Sequence, residues 1–404
     1  MTKLSKELSF FDIYLFSVGY IIGAGIFVLI GQVSKYSKSL TWLPFIIAGV
    51  FALIISTSYV DISTIYNTNH GDYMFVKDTI GEIPAIITIF LLLGIGIFTN
   101  STIAKSIGDF LSPIFSVSST LISIVLILIF SIINCIGIRQ TTNYNHICTI
   151  VEILALLLIC FVGLFLHSPS KQQVLSTKVK IPDIMYASIL ALFVYSGFEG
   201  TVKLSEEAKN PNDIPLAIVS SVITTILIYV FVSIAVIKCC NTHKLDQYPI
   251  PIVKMASILF GDKVSYLFYI IALLSITNTL LISILGTSRI LYSISREYSA
   301  LDIFTKVNED TKTPIVATVA IALISILTLC FKNVETLASI TSYLMFVVFI
   351  ILNYCLIYVY QDEDIQSKLK GGWTYSINQG KPILPVLGLV LSVGILSFGL
   401  FHKH

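Results

Sequence analysis

Charge is what this chain has least of. Asp, Glu, Lys and Arg make up 12% of its 404 residues, about half the share in an average soluble domain, which excludes a water-soluble globular protein. The net charge of +2 is too small to hold a nucleic acid by its phosphates. Metal-ligand spacing is missing as well. The seven cysteines, Cys135, Cys148, Cys160, Cys239, Cys240, Cys330 and Cys355, make no CxxC and no Cys/His pattern, and most sit inside apolar runs as small packing residues. No Ser/His/Asp set, no pair of carboxylates on one helix and no P-loop is present, so neither an enzyme nor a cofactor or metal is expected. The first apolar run is too long for a cleavable signal and lacks a small-residue cleavage site after a basic start. It is expected to stay in the membrane. The longest polar connections, 167–183, 297–314 and 361–382, are too short to fold alone, so a single integral membrane domain over 1–404 is expected.

Apolar length is what the chain has in abundance. Hydrophobic residues are 55% of it, the mean hydropathy is +0.90, and runs of about 20 apolar residues, enough to cross about 30 Å of hydrocarbon, recur along it. They fall near 10–32, 42–66, 83–106, 120–138, 147–166, 184–204, 216–237, 264–293, 315–331, 336–360 and 383–401. The fold class expected is an all-α integral membrane protein of about eleven transmembrane helices, multi-pass and in contact with lipid. The excess of Lys and Arg that marks cytoplasmic loops barely orients it, because the 25 such residues divide almost evenly between the two faces. With the N-terminus in the cytoplasm, Arg139, Arg289 and Arg296 all fall inside and the C-terminus falls outside.

"GYIIGAGIF" places Gly19, Gly23 and Gly25 midway along the first run, and "YSGFE" places Ser196 and Gly197 midway along the sixth. Glycine-broken helices at matching positions, five runs apart, point to a five-plus-five inverted repeat with discontinuous helices one and six and a site at the breaks. Residues 10–166 would form the first repeat, 184–360 the second, and 383–401 an added helix. Gly19-x-x-x-Gly23 also fits plain close packing of helices. The G-A-G triplet, a second break in register, and the charge that follows it in Glu199, Lys203, Glu206 and Glu207 favour a site. Backbone groups released inside a bilayer must be satisfied by protein, cavity water or a ligand. Freed amides and a half-helix N-terminus at G-A-G would attract a carboxylate, and freed carbonyls at 195–197 an ammonium. Two opposite poles suit a zwitterion, so an α-amino acid is the expected small-molecule cargo.

These stretches also carry a resemblance. "GYIIGAGIF" (19–27) resembles the first-helix signature of the amino acid–polyamine–organocation transporters, and "FVYSGFEGTVKLSEEAKNPNDIPLAI" (193–218) resembles their sixth helix and following loop nearly word for word. "HGDYMFVKDTIG" (70–81) is similar to the family's cytoplasmic loop after helix two, and "GTSRILYSISRE" (286–297) to the end of its helix eight. The resemblance covers at least 10–360 and supports a cytoplasmic N-terminus. It implies that Ile22, Gly23, Ala24, Gly25 and Ile26 cradle the substrate carboxylate. It further implies that carbonyls of Phe193, Val194 and Ser196, beside Gly197, receive the amino group, and that Phe193 closes over the ligand. Glu199 matches the family acid, an anchor for the second half of its helix or a proton site. "EEAKNP" is expected to be a helix end and inner turn, with Asn210-Pro211 stopping the helix and Pro215 opening the next.

The chain departs from the family in three places. It stops after eleven runs where relatives commonly have twelve, it reads "YSALDIF" after "SRE" without the expected proline, and it has Glu152 in helix five where the family often has a lysine. Counted from His146, Glu152 lies about 9 Å along the axis, too deep for a short side chain to reach water. It is expected to serve ion coupling by one of two routes. Protonated, it would donate to a freed carbonyl near Gly23; ionised, it would hold sodium with Ser283 or Thr287, with Lys203 as a charged neighbour. The expected function is secondary active amino acid transport by alternating access, as proton-coupled symport or exchange at the plasma membrane. A sodium-coupled amino acid or polyamine carrier, and a non-transporting membrane sensor or accessory protein of the same fold, are the alternatives. The intact glycine triplet and "GFE" favour a carrier, because a scaffold has no use for freed backbone.

Overall fold

The computed structural model describes residues 6, 8–66, 68, 70–167, 179–240, 242–248, 250–331, 333–359 and 382–401. In chain order these form α1 (Phe10–Ser37), α2 (Trp42–Ile65), α3 (Gly71–Ile80), α4 (Glu82–Phe115), α5 (Ser119–Ile136), α6 (Ile138–Phe161), α7 (Ile181–Tyr195), α8 (Asp213–Cys239), α9 (Pro251–Phe260), α10 (Asp262–Ser295), α11 (Ile315–Thr328), α12 (Val334–Val359) and α13 (Ile383–Phe401). The only strand-like pairing among the described residues is a bridge between Leu8 and Ala208. Helices are what hydrocarbon permits, since each satisfies its own backbone. A capping box sets where α1 starts: the Asp12 carboxylate accepts from the Ser9 amide at 2.8 Å, and the Ser9 hydroxyl accepts from the Asp12 amide at 3.4 Å.

Nine helices among the described residues are long and apolar enough to cross a membrane. α11, with 14 residues, and the described apolar part of α13, Ile383–Gly399, are shorter. By that measure nine of the eleven expected spans are present. The apolar run over 315–331 is longer than its helix because Leu329, Cys330 and Phe331 fold back through three-residue bonds to Ile326, Leu327 and Thr328. Much of the expected 361–382 connection, and the last three residues, lie outside the described residues.

α1 occupies the centre, packed against α6, α7, α8 and α10, and α7 lies between α1, α2 and α12. α6 shows how the outer helices are shared between lipid and protein. Ile147, Ile150, Leu154, Leu157 and Phe161 form one exposed apolar stripe, while Asn145, Thr149, Glu152, Leu156 and Ile159 form the buried one. Both repeat at helical spacing. The exposed stripe is the face a bilayer would cover.

Hydropathy locates spans better than helix ends. α6 begins at Ile138, well before the expected 147, because a helix can start in water and enter the hydrocarbon later. α3 and α9 are short helices in segments that lack an apolar run of spanning length. At one end of the molecule, the Leu8 amide donates to the Glu207 carbonyl at 3.1 Å and the Lys209 amide donates to the Leu8 carbonyl at 2.9 Å. The N-terminal segment and the turn after α7 therefore share one face.

Candidate functional site

Both predicted helix breaks exist. α1 loses helical geometry at Gly23, with φ −9° and ψ −121°. α7 ends at Tyr195; Ser196 is extended, Gly197 has φ +126°, and the chain resumes as 3-10 turns over Phe198–Leu204. A positive φ of that size is glycine territory. The two breaks face each other at backbone range. A Cβ at Gly25 would stand 2.8 Å from the Val194 Cα, and a Cβ at Gly197 would stand 3.0 Å from the Tyr20 carbonyl. A later residue of α1 meets an earlier residue of α7 and the reverse, so the two segments run antiparallel.

Between them lies a cavity of about 10 Å³ open to the centre of a water molecule, lined by Tyr20, Ile21, Gly25, Thr99, Ile103, Phe193, Ser196 and Thr279. That is room for about one water. Of the expected substrate residues, Gly25, Phe193 and Ser196 reach this cavity. Ile22, Gly23, Ile26, Val194 and Gly197 are buried around it, and the side chain of Ala24 lies outside the described set. Gly23 faces α10, where a Cβ would overlap the Thr279 hydroxyl.

The freed carbonyls have partners. The Phe193 carbonyl accepts from the Ser196 amide at 3.0 Å and the Ser196 hydroxyl at 2.7 Å. Both lone pairs of the Phe193 carbonyl are taken in this way. The Tyr229 hydroxyl of α8 reaches the Ile21 carbonyl at 2.7 Å and the Val194 carbonyl at 3.0 Å. It ties both breaks to a third helix. Tyr229→Phe removes this donor, and a buried acceptor left without a partner costs about 1–3 kcal/mol. The midpoint of thermal denaturation in detergent is expected to fall; an unchanged midpoint would mean that other donors take over.

Glu152 is fully buried. Its Oε1 accepts from the Ser275 hydroxyl of α10, and its Oε2 has no hydrogen-bond partner among the described residues. Earlier on α6 and later on α10, Asn278 Nδ2 donates to Asn145 Oδ1 at 2.9 Å, and the Thr149 hydroxyl donates to the same oxygen at 3.2 Å. Gly19 of α1 rests directly on Thr149 and Asn145. The expected sodium partners are corrected here: Ser275 meets Glu152, whereas Thr287 donates to the Ser283 carbonyl at 2.7 Å, about 12 Å further along the helix.

Lys203 is not beside Glu152 either. It is buried in the field of Glu199 and Asp72. The Glu199 Oε2 accepts from the Gly197 amide at 2.9 Å, which anchors the second half of the broken helix. On α3, outside the spans, burial pushes the Asp72 carboxyl up to about 7, with Lys203 opposing that rise and Glu199 adding to it. Two ion pairs, Arg289 with Glu207 at 3.5 Å and Arg296 with Glu206 at 3.0 Å, fasten the segment after α7 to the end of α10. The expected inner turn is therefore held to α10.

Sequence reasoning missed Tyr20, Thr99, Ile103, Tyr229, Ser275 and Thr279. Signals existed for four of them. "TNST" (99–102) and "SITNT" (275–279) are polar patches in the middle of apolar runs, and Tyr229 is the one hydroxyl in "ILIYVFV".

A family model described as amino acid permease matches residues 8–401. The chain is similar to cationic amino acid transporter 3, mitochondrial, of Arabidopsis thaliana, 25% identical over 84% of this chain and 60% of that protein. It is similar to the branched-chain amino acid permease BcaP of Bacillus subtilis (strain 168), 26% identical over 78% of this chain and 72% of the relative. The methylthioribose transporter of the same bacterium is 23% identical over 83% of this chain and 77% of its own length. This chain thus spans about three fifths of the plant transporter it matches. With a family model matched from end to end of the helical region, and two glycine breaks opposed across one cavity, the chain belongs to the amino acid permease family.

Proposed function

We propose that this protein is a secondary carrier of amino acids that works by alternating access, as proton-linked symport or exchange, with its site between the breaks of α1 and α7. The observation that carries the reading is the pair of antiparallel, glycine-broken helices meeting across a small cavity. Backbone poles of opposite sign there suit a carboxylate and an ammonium on one molecule. The cavity holds about one water, so cargo enters only when its walls part, and that is the motion alternating access supplies. Two inverted halves, 10–166 and 184–360, rocking about the breaks would provide it. The shared face of the N-terminus and the turn after α7 is taken as cytoplasmic, and the plasma membrane as the location.

Uptake into proteoliposomes, with a panel of amino acids under an imposed pH gradient, an imposed sodium gradient and neither, tests this. Accumulation under the pH gradient is expected. Sodium-driven accumulation would replace the coupling ion, and no uptake or exchange of any amino acid would leave a sensor or accessory protein.

Phe193 is 5% exposed and lines the cavity, where its ring can exclude water from an occupied site. Phe193→Ala is expected to raise the apparent KM by roughly tenfold, on the scale of one lost large apolar contact, and to increase leak, with Phe193→Trp tolerated better. Equal KM values in wild type and the alanine variant would reduce the ring to packing.

A further inference from the structure

Resting on the carrier reading above, we infer that the cargo's side chain is uncharged, and that Thr99 and Ile103 of α4 set this preference. One side of the cavity is backbone at the breaks. Its remaining walls are Thr99 and Ile103 of α4, the Phe193 ring, Thr279 of α10 and Tyr20. Every one of these side chains is neutral and either apolar or hydroxylic. Ile103 is 1% and Thr99 6% exposed, so both are interior walls and neither faces lipid.

The carboxylates nearest this depth stand behind the cavity wall, Glu199 beside Tyr20. Glu199 holds the Gly197 amide and stands in the field of Lys203, and Glu152 holds Ser275. Neither lines the cavity. A lysine or arginine cargo would therefore place a cation between Ile103 and Phe193 with no counter-ion, the arrangement that a low-dielectric interior penalises most. An aliphatic side chain would meet Ile103 and Phe193, and a small hydroxylic one would find Thr99 and Thr279. The family name covers both charged and neutral cargo, and the wall chemistry selects the second.

The test uses the purified full chain, read by ligand protection against thermal denaturation and by counterflow in liposomes. The probes are L-leucine, L-phenylalanine, L-alanine, L-serine, L-lysine, L-arginine and, as a non-amino-acid control, methylthioribose. Leucine or alanine is expected to protect and exchange, with lysine and arginine weaker by on the order of 100-fold. Thr99→Asp supplies the missing counter-ion and is expected to tighten lysine by about tenfold or more while weakening leucine. Should that variant fail to fold, Ile103→Ala keeps the question open to measurement: it should favour L-phenylalanine over leucine and still reject lysine. Lysine protecting and exchanging as well as leucine in wild type would overturn the inference and leave the carrier reading standing. An unchanged leucine-to-phenylalanine preference in Ile103→Ala would overturn the role of α4. Protection by methylthioribose alone, or by no amino acid, would overturn the carrier reading and this inference together.

Discussion

Gly25→Leu is expected to abolish amino acid binding while the protein still inserts and extracts as a monodisperse species. The reason is distance. Even the first carbon of a side chain at Gly25 would lie 2.8 Å from the Val194 Cα and 3.0 Å from its Cγ1, and a main-chain atom cannot swing away as a side-chain tip can. α1 and α7 must then separate, which opens the two poles relative to each other and fills the cavity that Gly25 lines. Gly25→Ala is expected to show the same defect in milder form, because the methyl carbon already makes the clash. Binding loss of at least about 100-fold for leucine at this position is the expected size, since both the cradle and the space are lost. Ligand protection and uptake measured beside gel-filtration profiles check it. Normal uptake by Gly25→Leu would move the site away from the breaks.

The second large effect is expected at Glu152. Glutamine has nearly the shape of the acid and keeps an oxygen for the Ser275 hydroxyl, so Glu152→Gln should preserve the α6–α10 contact. It removes only the ability to gain and lose a proton or to neutralise a cation. Holding a charged carboxylate in so buried a position costs several kcal/mol without a counter-charge, which leaves a proton or a metal cation as the means of keeping the acid. Under proton linkage, accumulation driven by an inward pH gradient collapses in Glu152→Gln and counterflow exchange survives. Under sodium linkage, the sodium dependence disappears instead. Unchanged accumulation under both gradients would make Glu152 a structural residue.

The breaks were legible in the sequence because their cause is local. Only a glycine accepts φ +126° with ease, and a G-A-G triplet weakens a helix wherever it sits. The walls of the cavity were not legible for the opposite reason. Thr99, Ile103 and Thr279 come from helices far apart in the chain, and which face of α4 or α10 points inward is set by how their neighbours pack. The misassigned partner of Glu152 shows how sensitive that is. Ser275 and Ser283 are both buried hydroxyls on α10, and choosing between them needs the axial offset of α6 against α10. That offset is set by how the two helices pack, which a hydropathy profile does not mark. Glu199, by contrast, bonds to an amide two residues away, and an anchor was one of the two roles that the resemblance of its motif implied.

Tyr229 has a single hydrogen for two carbonyls. At 2.7 Å from Ile21 and 3.0 Å from Val194, its hydroxyl can donate fully to only one at a time. Any motion that parts α1 from α7 by an ångström or so forces a choice of allegiance. After that choice α8 is bonded to one broken helix and merely adjacent to the other. In the proposed cycle the phenol would act as a single-pole switch: its hydrogen would record which of the two broken segments stays with α8 and which swings away.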